Sequence, residues 1–545
     1  MKPLNTLRYL RTLRYLRLVQ IYHQLKYRLS PNKFVTKIKK NYSFQKLNII
    51  KPQTRSVTWL DRGEFYFLNH KQNLGIPIDW NTKTPTRLWQ YNLHYFDFLL
   101  QPNIDPKAGL ALIQSWIKGH TPKNKNTGWE PYPTSIRICN WIKFLSVHNI
   151  VPSQDILNSL ALQTHNLKSR IEYHILGNHL LANGKALCFA GAFLKQSDTL
   201  SLGRKIILDQ LKEQFLPDGG HFELSPMYHS IALEDLLDLI NLFKSHNNPE
   251  HQQLLNKLIK TAGQALSWLE LISDNNNKIP LLNDSAYGIS PEFKDLKRYS
   301  NKLSINSNQD KINKLRIGEW TGHDLSGYII LRHEHFKLIF DTAQLGPDYL
   351  PGHAHCDMLS VLLDLDDTNI LTDTGVFEYK EGSVRSYSRS TEAHNTVTID
   401  DLDQAEIWKS FRMGHRGQPI DRKFHESSLS CSHTGFIKHQ KGLYHNREIR
   451  LNDNGFEISD KLTGPGKHSC KAFYHFAPGV EIFKKSKNCY IINNKLLFEI
   501  NNINHNLTDS DFYPHFGYKE KRNCLVLNKK FENNLNFGIK CTYSS

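Results

Sequence analysis

An all-α domain followed by an all-β domain is the fold class this chain predicts, and three observations carry the prediction. From about Trp59 to about Glu319, apolar residues recur at three- and four-residue spacings with turn residues between them, the pattern of packed helices. After about Gly327 that spacing gives way to short alternating runs rich in β-branched and aromatic residues, as in antiparallel sandwich sheets. The 545 residues exceed one ordinary hydrophobic core, so several domains are expected, with a cleft between them. The divisions read as a basic arm over residues 1–58, a helical domain over 59–325 and a β domain over 326–545.

The arm holds most of the net charge of +17. Before Asp61 there are 14 Lys and Arg and no acid, which leaves 69 − 14 = 55 bases against 52 acids in the rest. Charge so localised argues against a nucleic-acid groove spread over the fold. A hexapeptide is duplicated, Thr6-Leu-Arg-Tyr-Leu-Arg11 and Thr12-Leu-Arg-Tyr-Leu-Arg17, so its leucines drift around a helix of 3.6 residues per turn as a slanting stripe. Arginines interrupt every would-be apolar signal region, and no segment has the apolar run that crosses a bilayer. A cytoplasmic or membrane-peripheral protein is therefore expected, with export by an unconventional route as the alternative. For residues 1–50 two readings stand: a peripheral contact with an anionic membrane or a partner, and a basic helix docked on its own domain.

In the helical domain, Ser135–Leu145 places Ile138, Trp141, Ile142 and Leu145 on one face, and further helices are expected over 156–167, 180–193, 200–215, 231–243 and 254–271. Successive helices with short connections suggest a helical barrel or toroid. Strands are expected at 328–331, 336–340, 360–365, 396–399, 456–459, 471–476 and 496–500. The eight cysteines form no C-x-x-C pair and read as mostly reduced thiols, with Cys356 a packing residue.

Three segments carry chemistry. In Gly352-His353-Ala354-His355-Cys356-Asp357, alternation on an extended strand would turn both histidines to one face, and with Asp373 and His394 they supply the imidazoles and carboxylates that hold a divalent cation. In Leu176-Gly-Asn178-His179, the polar pair precedes a helix whose first turn could orient an anion. A Gly-rich loop, Pro217–Ser225, leads through Glu223 to Tyr228 and His229 just before another helix. Taken singly, each has a structural explanation as a cap, a satisfied core imidazole or an aromatic lid.

Together these motifs resemble the heparinase II/III-like family of polysaccharide lyases and the related alginate lyases. The resemblance rests on Gly177-Asn178-His179, Glu223-x-Ser225-x-x-Tyr228-His229, Gly352-His353-x-His355-x-Asp357, Asp373-x-Gly375 and Arg389-Ser-Thr-x-Ala-His394-Asn-Thr396. Arg87-Leu-Trp-Gln-Tyr-Asn-Leu-His-Tyr-Phe-Asp97 extends it towards the N-terminus. It implies an incomplete (α/α) toroid followed by an antiparallel β-sandwich, and β-elimination on a uronic-acid-containing polysaccharide, an acidic substrate. By the resemblance, Asn178 bonds the uronate carboxylate, Tyr228 is base and acid, and His353 is the opposing acid/base group. His179 is a further catalytic candidate, Glu223, His229 and Arg389 are substrate-binding candidates, and His355, Asp373 and His394 match the holders of a structural zinc.

β-Elimination removes the C5 proton beside a uronate carboxylate and expels the C4 oxygen, so it needs a donor for the growing charge and a protonated leaving group. A positioned amide such as Asn178 serves the first need, and comparable donors are worth roughly 3–4 kcal/mol. A phenol that accepts a proton needs a cationic or hydrogen-bonding neighbour, for which His229, His353 and Arg389 are candidates. A role in making or editing a cell-surface polysaccharide would reconcile the absent export signal with a polymer substrate. Two other classes remain: a metal-dependent hydrolase using the H-x-H-x-D segment, disfavoured because Met358 stands where a further ligand histidine would be needed, and a non-catalytic glycan-binding protein.

Overall fold

The computed structural model describes residues 3–29, 34–38, 40–83, 86–122, 127–246, 248–307, 320–322, 326–333, 335–425 and 427–543. The expected change from helix to sheet, between Glu319 and Gly327, falls partly outside that set.

The arm contains two helices, α1 (Pro3–Leu13) and α2 (Leu18–Leu29). Where helix was expected from Trp59, the chain first makes a three-stranded antiparallel sheet over Trp59–Asp61, Glu64–Phe67 and His70–Asn73. Turns in the left-handed region at Asp61, Arg62, Leu68 and Asn69 make this meander, a signal too local for the helical periodicity to reveal. The toroid follows: α3 (Arg87–Tyr95), α4 (Pro106–Gly119), α5 (Pro131–Val147), α6 (Gln154–Lys168), α7 (Gly177–Phe193), α8 (Ser197–Gln214), α9 (Pro226–His246), α10 (Gln252–Ile272) and α11 (Phe293–Lys302).

Prolines and caps set the starts of these helices. Asp105 accepts from the amides of Lys107 and Ala108 ahead of Pro106, and Thr86 caps α3 through the Trp89 amide. Helix α7 is buried on nearly every side, so it has no polar face and lies inside the ring. It meets α8 closely: a Cβ on Gly191 would lie 2.4 Å from the Leu200 nitrogen, and one on Gly203 2.7 Å from the Cys188 nitrogen. Trp80, Trp89, Trp116, Trp129, Trp141 and Trp268 are buried in one core, where truncation of a single indole typically costs about 3–5 kcal/mol.

The β domain stacks a five-stranded antiparallel sheet on a ten-stranded one. The first comprises Trp320–Gly322, Tyr328–Arg332, Phe336–Asp341, Val361–Leu365 and Thr368–Leu371. The second is centred on the long paired strands Gly455–His475 and Glu520–Tyr543. Side-chain alternation explains why the smaller sheet is apolar on both faces. Ile329, Leu331, Leu338 and Phe340 pack into the sandwich core, whereas Tyr328, Ile330, Ile339 and Leu362 pack into the toroid core. The smaller sheet is thus the middle layer, and it fixes one domain against the other. A short helix, α12 (Ser383–Arg389), interrupts the strands, and all eight cysteines are free thiols.

Candidate active site

Two helix starts deliver side chains to the inter-domain cleft. Leu176 and Gly177 both have positive φ, 69° and 55°, and the turn they make places Asn178 and His179 in the first turn of α7 rather than before it. A Cβ on Gly177 would lie 2.5 Å from Leu350 and 2.9 Å from Glu223, so the position demands glycine. At α9, Leu224 is again left-handed, and the Ser225 hydroxyl accepts from the Tyr228 amide as an N-cap while donating to the Asp284 carbonyl. Tyr228 and His229 therefore sit inside the helix, and the helix start is tied to the loop that carries Asp284.

The cleft has a volume of about 1830 Å³. Asn178, His179, Glu223, Tyr228 and His353 all line it. The Tyr228 and His353 rings stack with centroids 3.8 Å apart, and the Tyr228 hydroxyl lies 3.2 Å from that of Tyr379. Burial, before anything else, holds the Tyr228 phenol well above its usual range, and Tyr379 pushes the same way. Tyr228 therefore rests as a neutral phenol. The Asn178 amide makes no side-chain hydrogen bond among the described residues and is available to a ligand.

The segment around His353 is a loop, not the expected strand. Both of its histidines nevertheless meet one carboxylate, because His353 Nδ1 lies 2.9 Å from Asp284 Oδ2 and His355 Nε2 lies 2.8 Å from Oδ1. Arg385 adds a two-pronged contact to the same group, with Nη2 2.8 Å from Oδ2. Burial would raise the Asp284 carboxyl, but Arg385 and the two imidazoles hold it well below the usual carboxylate range. An ionised acceptor requires hydrogen on His353 Nδ1, which leaves Nε2 as the basic nitrogen. Nε2 lies 3.6 Å from Glu223 Oε2, and burial raises the Glu223 pKa, partly offset by His353.

His179 is held differently. Its Nδ1 lies 3.0 Å from Glu172 Oε1 and its ring rests on Tyr132, and although burial opposes the charge, Glu172 raises the imidazole pKa.

Two expected substrate contacts lie away from the cleft. His229 is fully buried, with Nε2 2.9 Å from the Ala265 carbonyl, Nδ1 accepting from the His221 amide and its ring against Trp268. It braces the Gly-rich loop and does not reach the cleft. Arg389 is also buried and donates to the carbonyls of Ala354, Lys409 and Ser410. Arg385, one turn earlier on α12, makes the charge contact instead, and sequence reasoning missed it together with Asp284 and Tyr379. Asn283-Asp284-Ser285, a polar triplet closing the apolar run Ile279–Leu282, was the available signal.

His355, Asp373 and His394 are fully buried and do not line the cleft. His394 Nδ1 lies 2.8 Å from Asp373 Oδ2, and the His355 and His394 rings are 5.3 Å apart. His355 Nδ1, His394 Nε2 and Asp357 Oδ2 are buried without a hydrogen-bond partner, a donor set whose chemistry fits a divalent cation. Among the described residues no three His, Cys, Asp or Glu side chains already converge as a ligand cluster, and Asp373 is engaged with His394.

A helical toroid joined to a β-sandwich, with amide, phenol and imidazole groups converging between them, defines a two-domain protein with an acid–base cleft. The chain belongs to the heparinase II/III family: the model described as "Heparinase II/III N-terminus" matches residues 16–313, and that described as "Heparinase II/III-like, C-terminal" matches residues 322–529. Both the second arm helix and most of the last hundred residues thus fall within the family's extent. A heparin-sulfate lyase of Bacteroides stercoris is 25% identical over 430 residues, 72% of this chain and 60% of that protein. One from Bacteroides thetaiotaomicron is 25% identical, over 60% of this chain and 54% of that protein. The chain thus spans little more than half the length of these curated relatives. Among solved structures, a heparinase III superposes with TM-score 0.70 at 18% identity, covering 96% of this chain and 89% of the other. A mutant heparan sulfate lyase from Pedobacter heparinus gives 0.61 at 18% identity, over 89% and 82%.

Proposed function

We propose that this protein is a polysaccharide lyase that cleaves a uronic-acid-containing polymer by β-elimination, and that its substrate is an acidic glycan of the glycosaminoglycan kind, as the names of its relatives suggest. The observation that carries the reading is the orientation of His353, whose Nδ1 is committed to Asp284 while Nε2 stays basic beside the Tyr228 ring.

Asn178 donates its amide to the uronate carboxylate and stabilises the charge that grows as C5 is deprotonated. His353 Nε2 takes the C5 proton, the C–H electrons form the C4–C5 double bond, and the C4–O4 bond breaks. The neutral Tyr228 hydroxyl then protonates the departing O4, a division of labour that differs from the phenol acting as both base and acid. Glu223 accepts from the newly protonated Nε2 and steadies the imidazolium until its proton is returned. His179, held by Glu172, faces the same substrate wall. Tyr91, Tyr95 and Tyr132 offer ring faces to sugars, and Lys380 and Arg412 offer positive charge.

His355, Asp373 and His394 are proposed to hold a divalent cation, probed as zinc, with His355 Nδ1 and His394 Nε2 as the free nitrogens. Such an ion would supply a positive centre that ties the His353 loop to the sandwich. Its place away from the cleft favours this structural role over a hydrolase centre. We assign the basic arm a peripheral contact, consistent with a role in making or editing a cell-surface polysaccharide.

Incubation of the purified protein with heparan, hyaluronan, chondroitin, alginate and bacterial capsular polymers tests the reading through the ultraviolet absorbance of a new unsaturated uronate. At least one acidic polymer should give a rising signal, and Tyr228→Phe should remove it. Equal rates from Tyr228→Phe and wild type would overturn the assigned role.

A further inference from the structure

The arm presents two faces, and only one is used by the molecule. On the inner side, Tyr9 packs edge-on against Trp408 at 4.7 Å, and Arg8 and Arg11 bond Glu406 on the β domain. Gln20 donates to the Tyr349 carbonyl, and Tyr27 stacks on His174 of the toroid at 5.1 Å. These contacts fix the orientation of both helices.

The outer side is apolar and uncovered. Along α2, Leu18, Tyr22, Leu25 and Leu29 follow one another at four-, three- and four-residue steps, which aligns them on a single helical stripe. Their exposures are 84%, 62%, 53% and 79%. Leu7 and Leu10 of α1 are also more than half exposed. Residues 7–29 supply 10 of the 21 exposed large apolar side chains among the described residues, Tyr27 of the inner side among them, so the arm carries a localised patch and not an even scatter. Arg14 and Lys26 are exposed around it, with no acidic partner among the described residues, and Arg28 lies on the cleft side of α2.

We infer that this face of α1 and α2 lies in the surface of an anionic lipid bilayer, with the Leu18–Leu29 stripe entering the acyl boundary and the surrounding cations meeting the headgroups. The inference names the partner of the peripheral contact proposed above and rests on that reading, but not on the lyase chemistry. Charge decides for lipid over a neutral apolar partner: Arg8, Arg11, Arg17 and Arg55 of the arm are taken by Glu406, Glu213 and Glu234, but Arg14 and Lys26 beside the stripe are not, and no acid precedes Asp61 to offset them, a bias that matches a negative surface. A helix 12 residues long suits binding in the interface, since it is too short to cross a membrane.

Flotation of the full chain with vesicles tests the inference without any turnover readout, so its failure is distinct from failure of the lyase reading. Vesicles of phosphatidylglycerol and phosphatidylcholine should carry the wild-type protein upward, at least tenfold more than vesicles of phosphatidylcholine alone. High salt should weaken the binding. The Leu18→Ser/Leu25→Ser/Leu29→Ser variant should keep the wild-type melting temperature and lose at least tenfold in binding. Arg14→Gln/Lys26→Gln should lose several-fold. Wild-type protein left at the bottom with anionic vesicles, or a serine variant that floats as well as wild type, would overturn the inference. So would sedimentation showing a wild-type dimer that the serine variant converts to monomer, because the stripe would then belong to a second copy.

Discussion

Asp284 accepts from three side chains at once, and it orients His353 without lining the cleft itself. Asp284→Asn should keep the shape but allow the opposite tautomer, with Nε2 carrying hydrogen. We expect elimination to fall by up to about 10⁴-fold, the loss a wrong tautomer causes in a catalytic imidazole. The pH–rate profile should shift as well, which a purely structural residue would not cause. Asn178→Ala should cost about 10²–10³-fold in kcat, as loss of one charge-stabilising donor does elsewhere. Both are measured by the initial rate of unsaturated uronate formation. The sequence made Asn178, Tyr228 and His353 legible because their motifs are compact. It hid Asp284, whose partners lie 69 to 101 positions away and meet it only after folding.

At the scale of elements, most helices and strands were legible because apolar spacing persists over whole turns or several alternations. The errors fall where a few residues decide. Positive φ at Leu176 and Leu224 moves the starts of α7 and α9 towards their N-termini, and one turn of α12 separates the charge-bearing Arg385 from Arg389. The sandwich has its own buried pair: Arg447 bonds Asp460 through Nε and Nη2, and His445 Nε2 lies 2.7 Å from the same carboxylate. Burial alone would raise the Asp460 pKa, yet Arg447 and His445 bring it down to about 2. The folded value lies below the unfolded one of about 3.9, so this group adds stability above about pH 4. That contribution, about 2–3 kcal/mol, is lost as pH falls from about 4 through about 2. Asp460→Asn should lower stability at neutral pH by about 3–5 kcal/mol and flatten this acid limb, as read from urea unfolding across pH. The buried donors of His355 and His394 make a separate prediction. Chelation of metal-loaded protein should lower its melting temperature, and elimination by the still-folded fraction should change little.

Across the whole molecule, the five-stranded sheet serves two cores, and the cleft exists because that sheet holds the toroid and sandwich at a fixed offset. No helix among the described residues is long and apolar enough to cross a membrane. The domain order was legible from periodicity, while the shared middle layer was not, since a strand apolar on both faces looks the same whichever neighbour covers it. The docking of the arm was equally hidden, because its partners Glu406 and Trp408 lie almost 400 positions further along the chain.

Bond cleavage by elimination between Asn178, Tyr228 and His353 is the central expectation for this molecule. Mass spectrometry of the products formed in heavy-oxygen water measures this directly, because elimination adds no water to the broken bond whereas hydrolysis leaves a solvent oxygen there. Wild-type protein should release oligosaccharides with an unsaturated non-reducing end that carries no heavy oxygen, and Tyr228→Phe and His353→Ala should release none. Saturated products carrying heavy oxygen, or unsaturated products formed equally by both variants, would contradict it.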